Sequence, residues 1–384
     1  MKLLRLQVNG LSLIKDQLDI TFYGLQRVDI DDISIMHHLF NNIYLNCANA
    51  FIGKNASGKT TILQTISLAL NILNNEPINH IPSRYILSGS DEVTMSIFYS
   101  TNENAIYCLK TSITTKNDTN KLYYAITNEK LYYQPITSVK TKKSLTDLNN
   151  FQLIKERDLN EEYLPEDVSM IISQNKKMDS HIMVSSLMSF TKIDKLILND
   201  SVSLEIIQFL DPTIESLYTE DKNNASMVHL KFKNKDEIVL NSPSELEFYL
   251  SSGTIKGITA FSLAKETLKH GGYLLIDEIE NHFNKEIVST LIRLFMDSDF
   301  NTNGSVLIYT THYPELLDEY ERNDSIYITE NINGITATNL SHLLKRNDIK
   351  KSEAYQSDMI AETSPKYDDY IRMKKSMSSY IKEN

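Results

Sequence analysis

The sequence is poor in arginine, cysteine and long apolar runs, and each shortage excludes a class of protein. Only 8 of the 39 basic residues are arginine, so bidentate phosphate clamps are scarce. Two cysteines, Cys47 and Cys108, are too few for a disulfide framework or a four-thiolate zinc site. No run approaches the roughly 18 apolar residues of a membrane-spanning helix. Arg5, Gln7 and Asn9 interrupt the apolar start, unlike a signal peptide, and we therefore expect a cytoplasmic protein with no membrane partner.

The charge balance is acidic, with 50 Asp plus Glu against 39 Lys plus Arg and a net charge of −11. Such a chain does not coat DNA or an anionic membrane by bulk attraction, so any nucleic-acid contact is expected to be local. Apolar residues make up 41% of the 384 residues and charged residues 23%, which excludes a disordered chain. The length predicts one large domain or two coupled lobes.

The spacing of apolar residues predicts an α/β protein. A strand, a glycine loop and a helix follow one another around Gly53. Residues 92–134 alternate like an antiparallel β meander with a short hairpin at 127–130, and residues 145–218 show mainly helical spacing. We predict four segments: an N-terminal lobe with the glycine loop and meander, a mainly helical insertion, a C-terminal lobe, and a polar helical tail, at residues 1–135, 136–225, 226–344 and 345–384.

A phosphate-binding loop is the most specific motif. Residues 53–60 read Gly-Lys-Asn-Ala-Ser-Gly-Lys-Thr and match the P-loop pattern G-x-x-x-x-G-K-[ST] completely, between a strand and a helix. The glycines let backbone N–H groups surround phosphate oxygens, and the helix amino terminus adds its dipole. Lys59 is expected at the β- and γ-phosphates, Thr60 on Mg²⁺ and Thr61 at the α-phosphate. The predicted nucleotide contacts are Gly53, Asn55, Ala56, Ser57, Gly58, Lys59, Thr60 and Thr61.

Two carboxylates and a histidine follow buried strands farther along the chain. Asp277 and Glu278 end an apolar strand, where Asp277 can hold the Mg²⁺ shell and Glu278 can accept a proton from the attacking water. His312 ends the next strand, where an imidazole could orient that water or sense the γ-phosphate. Glu278, His312 and Lys59 are therefore the candidate catalytic residues.

The turn Ser251-Ser252-Gly253 precedes the helix that leads to the Asp277 strand. By itself it is an ordinary helix cap. With the P-loop, the Asp-Glu strand and the histidine strand in this order, it resembles the "SSGT" signature of ABC-type ATPase heads of the SMC/RecF/OLD group, above all their compact bacterial AAA members. Residues 276–283 are similar to the Walker B and D-loop of that group, and residues 310–317 to its switch segment.

This resemblance implies a P-loop NTPase fold of the ABC-ATPase head type, with a mixed central sheet, an antiparallel β subdomain and a helical insertion. It implies ATP and Mg²⁺ as ligands, ATP hydrolysis, and a head-to-tail homodimer that sandwiches two ATP molecules. The P-loop of one subunit would then face Ser251, Ser252 and Gly253 of the other. It also implies bacterial anti-phage defence, with a separate nuclease or toxin as effector.

The sequence departs from related heads in several places. Leu11 stands where many carry an arginine near the adenosine, and either Gln134 or Gln174 could be the glutamine that joins the lobes. Only about 190 residues separate Thr60 from Leu250, without heptads, so no long SMC-type coiled coil is expected. The 72 residues after His312 are too few for the Toprim domain of OLD nucleases.

Two rival hypotheses remain open. The first is a RecF-like DNA-binding repair clamp, whose ATP-dependent contact with nucleic acid would use two groups of basic residues: Lys140, Lys142 and Lys143, and Lys345, Arg346, Lys350 and Lys351. The second is a self-sufficient nuclease that uses acidic residues of the 145–218 segment: Glu156, Asp158, Glu161, Glu162, Glu166 and Asp167.

Overall fold

The computed structural model describes residues 1–101, 104–118, 121–158, 163–178, 181–188, 203–222, 225–281, 283–357, 360 and 367–383. The strands are, in chain order, β1 (Lys2–Asn9), β2 (Gln17–Thr21), β3 (Met36–Phe40), β4 (Ile43–Asn46), β5 (Ala48–Ile52), β6 (Glu92–Thr101), β7 (Ala105–Asp118), β8 (Lys121–Pro135), β9 (Gln152–Glu156), β10 (Val184–Leu187), β11 (Ile214–Lys222), β12 (Ala225–Phe232), β13 (Ile238–Leu240), β14 (Tyr273–Ile276), β15 (Val306–Thr311), β16 (Ile326–Asn331) and β17 (Ile335–Asn339). The helices are α1 (Lys59–Leu73), α2 (Ile172–Met178), α3 (Leu204–Leu210), α4 (Ser252–His270), α5 (Lys285–Met296), α6 (Leu340–Leu343), α7 (Lys351–Gln356) and α8 (Tyr367–Glu383).

A central sheet in the order β10-β14-β15-β5-β16-β17 carries the motifs. Its first five strands are parallel, and only β17 runs antiparallel to its neighbour. Every residue of β5, β14 and β15 is buried, which explains their nearly continuous apolar sequences. Because parallel strands end at the same edge of a sheet, the loops after β5, β14 and β15 all start at one edge.

Helices cover both faces of this sheet. Ile62 and Ile66 of α1 share one buried cluster with Leu6 of the antiparallel sheet β2-β1-β6-β7-β8-β9, so α1 lies between two sheets. On the opposite face, Phe261 of α4 and Ile292 of α5 pack in a second cluster with β14 and β15. This four-layer packing, sheet on helix on sheet on helices, fixes the amino end of α1 at the edge where the three loops begin.

The antiparallel meander is present, but the predicted hairpin at 127–130 is wrong. These residues continue β8, whose register against β7 skips Thr127 in a β-bulge. The polar stretch reads like a turn because it contains Glu129, yet this carboxylate is buried and accepts hydrogen bonds from the Ser169 hydroxyl and the Met170 N–H. In the sequence, a buried carboxylate with hydrogen-bond partners therefore cannot be distinguished from a polar residue of a turn.

The segment 136–225, predicted as mainly helical, is mixed in its described part. It contains α2 and α3, of seven residues each, but also β9, β10 and β11. The apolar residues at 184–187 form β10, which pairs with β14 in the central sheet. A short buried parallel strand and a buried helix have the same apolar signal, so spacing alone could not separate them. Residues 189–202 lie outside the described residues.

The tail contains α7 and α8, in agreement with the predicted helical character. None of the helices in the described ranges has both the length and the apolar content to cross a bilayer.

Candidate functional site

The P-loop connects the carboxyl end of β5 to the amino end of α1. Ala56, with φ 61°, and Gly58, with φ 93°, adopt left-handed conformations. Right- and left-handed residues in alternation direct successive N–H groups to one side, which forms an anion-binding concavity. Since α1 begins at Lys59, its positive dipole end lies at the same place. The loop therefore has the backbone geometry of a phosphate site.

Thr329 of β16, which the sequence did not single out, holds this loop in place. Its hydroxyl donates to the Ile52 carbonyl at 3.1 Å and accepts from the Ser57 hydroxyl at 2.7 Å. A Cβ on Gly53 would lie 2.2 Å from Thr329 Oγ1 and 2.4 Å from the Thr329 carbonyl oxygen. Gly53 is thus required by the close approach of β16 and not only by the turn.

The substitution Gly53→Ala is expected to destabilise the protein by about 1–3 kcal/mol, because the new methyl group meets backbone that cannot move freely. We expect a lower midpoint of thermal unfolding and weaker ATP binding. Gly24→Ala is the matched control, since its Cβ first meets the flexible end of Met36, at 2.8 Å. Equal losses for the two variants would contradict the proposed clamp by Thr329.

Lys59 lies at the centre of the site, and its side chain is buried. Its Nζ donates to the carbonyls of Gly53 and Lys54, at 2.9 Å each, and lies 3.3 Å from His312 Nδ1. Burial lowers the pKa of Lys59, while the nearby carboxylates, Glu278 first, act in the opposite direction. The ammonium group is therefore held at the mouth of the loop by carbonyls of the loop itself.

The two predicted metal-binding groups lie in direct contact. Thr60 Oγ1 donates to Asp277 Oδ2 at 2.7 Å, although the residues are 217 positions apart. Thr310 donates from its hydroxyl to Asp277 Oδ1 at 2.5 Å, which orients the carboxylate. A hydroxyl and a carboxylate are oxygen donors of the kind that Mg²⁺ takes beside a phosphate, so this pair fits the ion. Thr310 is a further site residue that its position at a strand end could have indicated.

Glu278 is held in place through its backbone and through its carboxylate. Its backbone is left-handed, with φ 49°, and its N–H donates to Thr310 Oγ1 at 2.7 Å. Asn281 Nδ2 donates to Glu278 Oε2 at 2.6 Å, and His312 Nε2 lies 3.4 Å from Glu278 Oε1. A left-handed non-glycine backbone costs on the order of 1–3 kcal/mol and is retained where the surroundings impose it. The carboxylate is thus directed toward His312 by contacts on three sides.

The turn Ser251-Ser252-Gly253 begins α4. Ser251 is the N-cap: its Oγ accepts from the Thr254 N–H at 3.0 Å and contacts Thr254 Oγ1 at 2.8 Å. The structure therefore brings together Lys59, Thr60, Asp277, Glu278 and His312, whereas the hydrogen bonds of Ser251 are local to α4. Ser251 and Ser252 are exposed at the start of a 19-residue helix.

Neither predicted glutamine lies at the motif edge of the central sheet. Gln134 aligns, through β7 and β6, with Lys2, whose Nζ bonds the Gly271 carbonyl before β14 begins. Gln174 precedes Asn175, whose amide donates to the Leu73 carbonyl at the far end of α1. The spacing of short motifs could not show at which end of the sheet each glutamine lies, because that location depends on the direction of the strands. Leu11, at the position where many related heads are expected to carry an arginine, is buried in the core.

The candidate DNA-binding cations are largely engaged elsewhere. Lys142 donates to the Gln26 carbonyl, and its partial burial lowers its pKa. Arg346 pairs with Asp348, Lys350 pairs with Glu353, and Lys351 bonds backbone carbonyls. Lys140 and Lys143 are exposed, while Lys345 donates to the Ser341 carbonyl.

The candidate nuclease acids also have structural partners. Glu156 pairs with Lys130, Glu166 pairs with Lys116, and Asp167 accepts from Asn79. Asp158 also takes part in an interaction. Glu161 and Glu162 lie outside the described residues. Among the residues that the structure does describe, no group of three or more His, Cys, Asp or Glu side chains is arranged to hold a metal ion.

Comparison with known families gives a match to a family of AAA domains. The family described as "AAA domain, putative AbiEii toxin, Type IV TA system" matches residues 113–318, which is 206 of 384 residues and more than half of the chain. The matched range contains the Ser251 turn, Asp277, Glu278 and His312, and it begins beyond the P-loop and α1. No curated protein matches the chain.

Proposed function

Because this chain belongs to the AAA domain family with that description, a family of P-loop ATPases with an α/β fold, we propose that it is an ATP-hydrolysing dimeric switch of the SMC/RecF/OLD type. The observation that carries the proposal is the convergence of five side chains at one edge of the central sheet. They are Lys59, Thr60, Asp277, Glu278 and His312.

Each side chain has a proposed task in phosphoryl transfer to water. Lys59, at the mouth of the loop, binds the β- and γ-phosphates and neutralises charge there. Thr60 and Asp277 would hold Mg²⁺, which when bound neutralises charge that develops on the phosphates. Glu278 accepts a proton from the attacking water, and Asn281 fixes the carboxylate for that transfer. His312, between Lys59 and Glu278, orients the water against the γ-phosphate.

The position of the Ser251 turn supports the proposed dimer. In the ABC-type head arrangement, the P-loop of one subunit faces the signature turn of the other, and the exposed start of α4 supports this assignment. The N–H groups and dipole of a 19-residue helix suit a γ-phosphate delivered by a second copy. ATP would join the two heads, and hydrolysis would release them.

A mixture of two inactive variants tests the composite site. Lys59→Ala removes the P-loop lysine, and Ser251→Arg places a bulky cation on the signature turn, so each homodimer lacks both complete sites. A heterodimer keeps one complete site, made from the P-loop of Ser251→Arg and the Ser251 turn of Lys59→Ala. With random pairing, we expect the mixture to recover about a quarter of the wild-type ATPase rate, since half of the dimers have one site of two.

The loss of the Ser251 cap should cost about 1 kcal/mol, and the midpoint of thermal unfolding shows whether Ser251→Arg is folded. If the folded variants stay inactive on mixing while the wild type hydrolyses ATP, the head-to-tail site is wrong.

The biological role proposed here is the ATPase component of a bacterial anti-phage defence system that controls a separate nuclease or toxin. The family description names a putative toxin of a type IV toxin–antitoxin system, and this supports a role alongside a second protein component. In the described parts of the chain, the acids proposed for a built-in nuclease form ion pairs and hydrogen bonds instead.

The DNA-clamp alternative has less support. Several of the cations that it needs, Lys142, Arg346 and Lys350 among them, bond to neighbouring groups. Only cations that are free to meet phosphates release counterions on binding, so the remaining exposed lysines, Lys140 and Lys143, offer few contacts.

A further inference from the structure

We propose that Glu280 is a positioning residue for His312, an inference that rests on the proposed ATPase function. Glu280 lies two residues after Glu278 and directly before Asn281, and no sequence argument gave it a task. Its side chain is 6% exposed. One carboxylate oxygen, Oε1, accepts the backbone N–H of His312 at 2.5 Å.

This bond joins the turn after β14 to the point where the chain leaves β15. Two further bonds join the same segments: the Ile279 N–H donates to the Thr310 carbonyl at 3.0 Å, and the Glu278 N–H donates to Thr310 Oγ1 at 2.7 Å. Those two bonds end at Thr310, which is still inside the strand. Of these three bonds, the Glu280 bond is the one that reaches the His312 backbone, from which the imidazole projects toward Lys59 and Glu278.

The bond to His312 joins a backbone N–H to a carboxylate oxygen, a type of hydrogen bond that is stronger than one between two neutral groups when the carboxylate is ionised. The second oxygen, Oε2, is buried and has no hydrogen-bond partner among the described residues. A buried carboxylate oxygen without a partner costs free energy, so Glu280 is a poor choice for fold stability alone. The side chain therefore serves the placement of His312 at some expense of stability.

In the proposed dimer, Glu280 would also link His312 to the segment that resembles a D-loop. Asn281 follows Glu280 directly and starts the segment that resembles a D-loop, and its N–H bonds the Glu278 carbonyl at 2.9 Å. A partner subunit that presses on Asn281 would move Glu280 and, through it, the His312 backbone. Hydrolysis would then depend on closure of the two heads.

The test compares Glu280→Ala with Glu280→Gln in the full chain by steady-state ATPase kinetics. Alanine removes the acceptor for the His312 N–H, so we expect kcat to fall by about 10- to 100-fold with KM changed by less than about threefold. Glutamine keeps an acceptor oxygen without the charge, so kcat should stay within about fivefold of wild type. Glu280→Asp keeps the charge but withdraws the acceptor; it should resemble alanine and replaces that variant if alanine fails to fold.

Glu319→Ala is the control, because Glu319 bonds Ser289 and Arg293 of α5 and has no contact with His312 in the described structure. It should lower the midpoint of thermal unfolding and leave kcat near wild type. The proposal is overturned if Glu280→Ala keeps kcat within about threefold of wild type, or if Glu280→Gln and Glu280→Ala reduce kcat equally. It is also overturned if the substitution changes KM and leaves kcat unaltered. An inactive wild type would instead contradict the proposed ATPase function.

Discussion

Glu278→Gln is expected to reduce ATP hydrolysis by about 10²- to 10⁴-fold, the usual loss when a general base is removed. The amide keeps the shape of the side chain and can still accept the hydrogen bond of Asn281, which lies 2.6 Å from the carboxylate. It cannot take a proton from water at neutral pH. ATP binding should therefore persist while the chemical step stops.

The same variant should accumulate as a dimer in the presence of Mg²⁺ and ATP. If ATP joins the heads and hydrolysis releases them, a blocked chemical step leaves the joined state populated. Size-exclusion chromatography with light scattering would give about twice the monomer mass with ATP and the monomer mass with ADP.

Glu266→Gln removes a carboxylate from the α4 surface, beside His270, and should match wild type in both assays. ATP hydrolysis by Glu278→Gln at the wild-type rate would remove Glu278 as the base. A monomer under all conditions would contradict the proposed ATP-bridged dimer but would not affect the assignment of Glu278 as the general base.

Lys59→Ala is expected to abolish measurable ATP binding at micromolar concentrations. The ammonium group is the only side-chain cation that we assign to the phosphates, and a charge-assisted hydrogen bond contributes about 1.5–3 kcal/mol. Loss of one or two such bonds should weaken binding by about 10- to 10⁴-fold. Titration calorimetry with a non-hydrolysable ATP analogue measures the change.

Lys110→Ala, a substitution at an exposed lysine of β7, is the charge-matched control and should bind ATP like wild type. Lys59 also donates to the Gly53 and Lys54 carbonyls, so its removal could loosen the loop. The midpoint of thermal unfolding of Lys59→Ala, compared with that of Lys110→Ala, shows whether the loop has been loosened. Binding by Lys59→Ala within about threefold of wild type would contradict the assignment.

Much of the fold could be predicted where the residues of a single helix or strand carry enough signal to identify that element. The helix α1, the buried strands β14 and β15, and the stop of α4 at Gly271 follow from apolar spacing and a left-handed cap. The prediction failed where the same sequence pattern is compatible with two different structures. The polar residues 127–130 are compatible with an exposed turn and equally with a strand that contains a buried, hydrogen-bonded Glu129. The apolar residues 184–187 are compatible with a short strand as well as with a helix.

The sequence by itself determined where the P-loop lies, since the motif is contiguous and its backbone conformation is local. It also indicated Asp277, Glu278 and His312, because acids and a histidine at the ends of buried strands are few. The tertiary structure decided what lies beside them: Thr60 against Asp277, Thr329 against Gly53, and Glu280 against the His312 N–H. The physical reason is that these contacts depend on strand order and register, which place residues tens to hundreds of positions apart within hydrogen-bond distance.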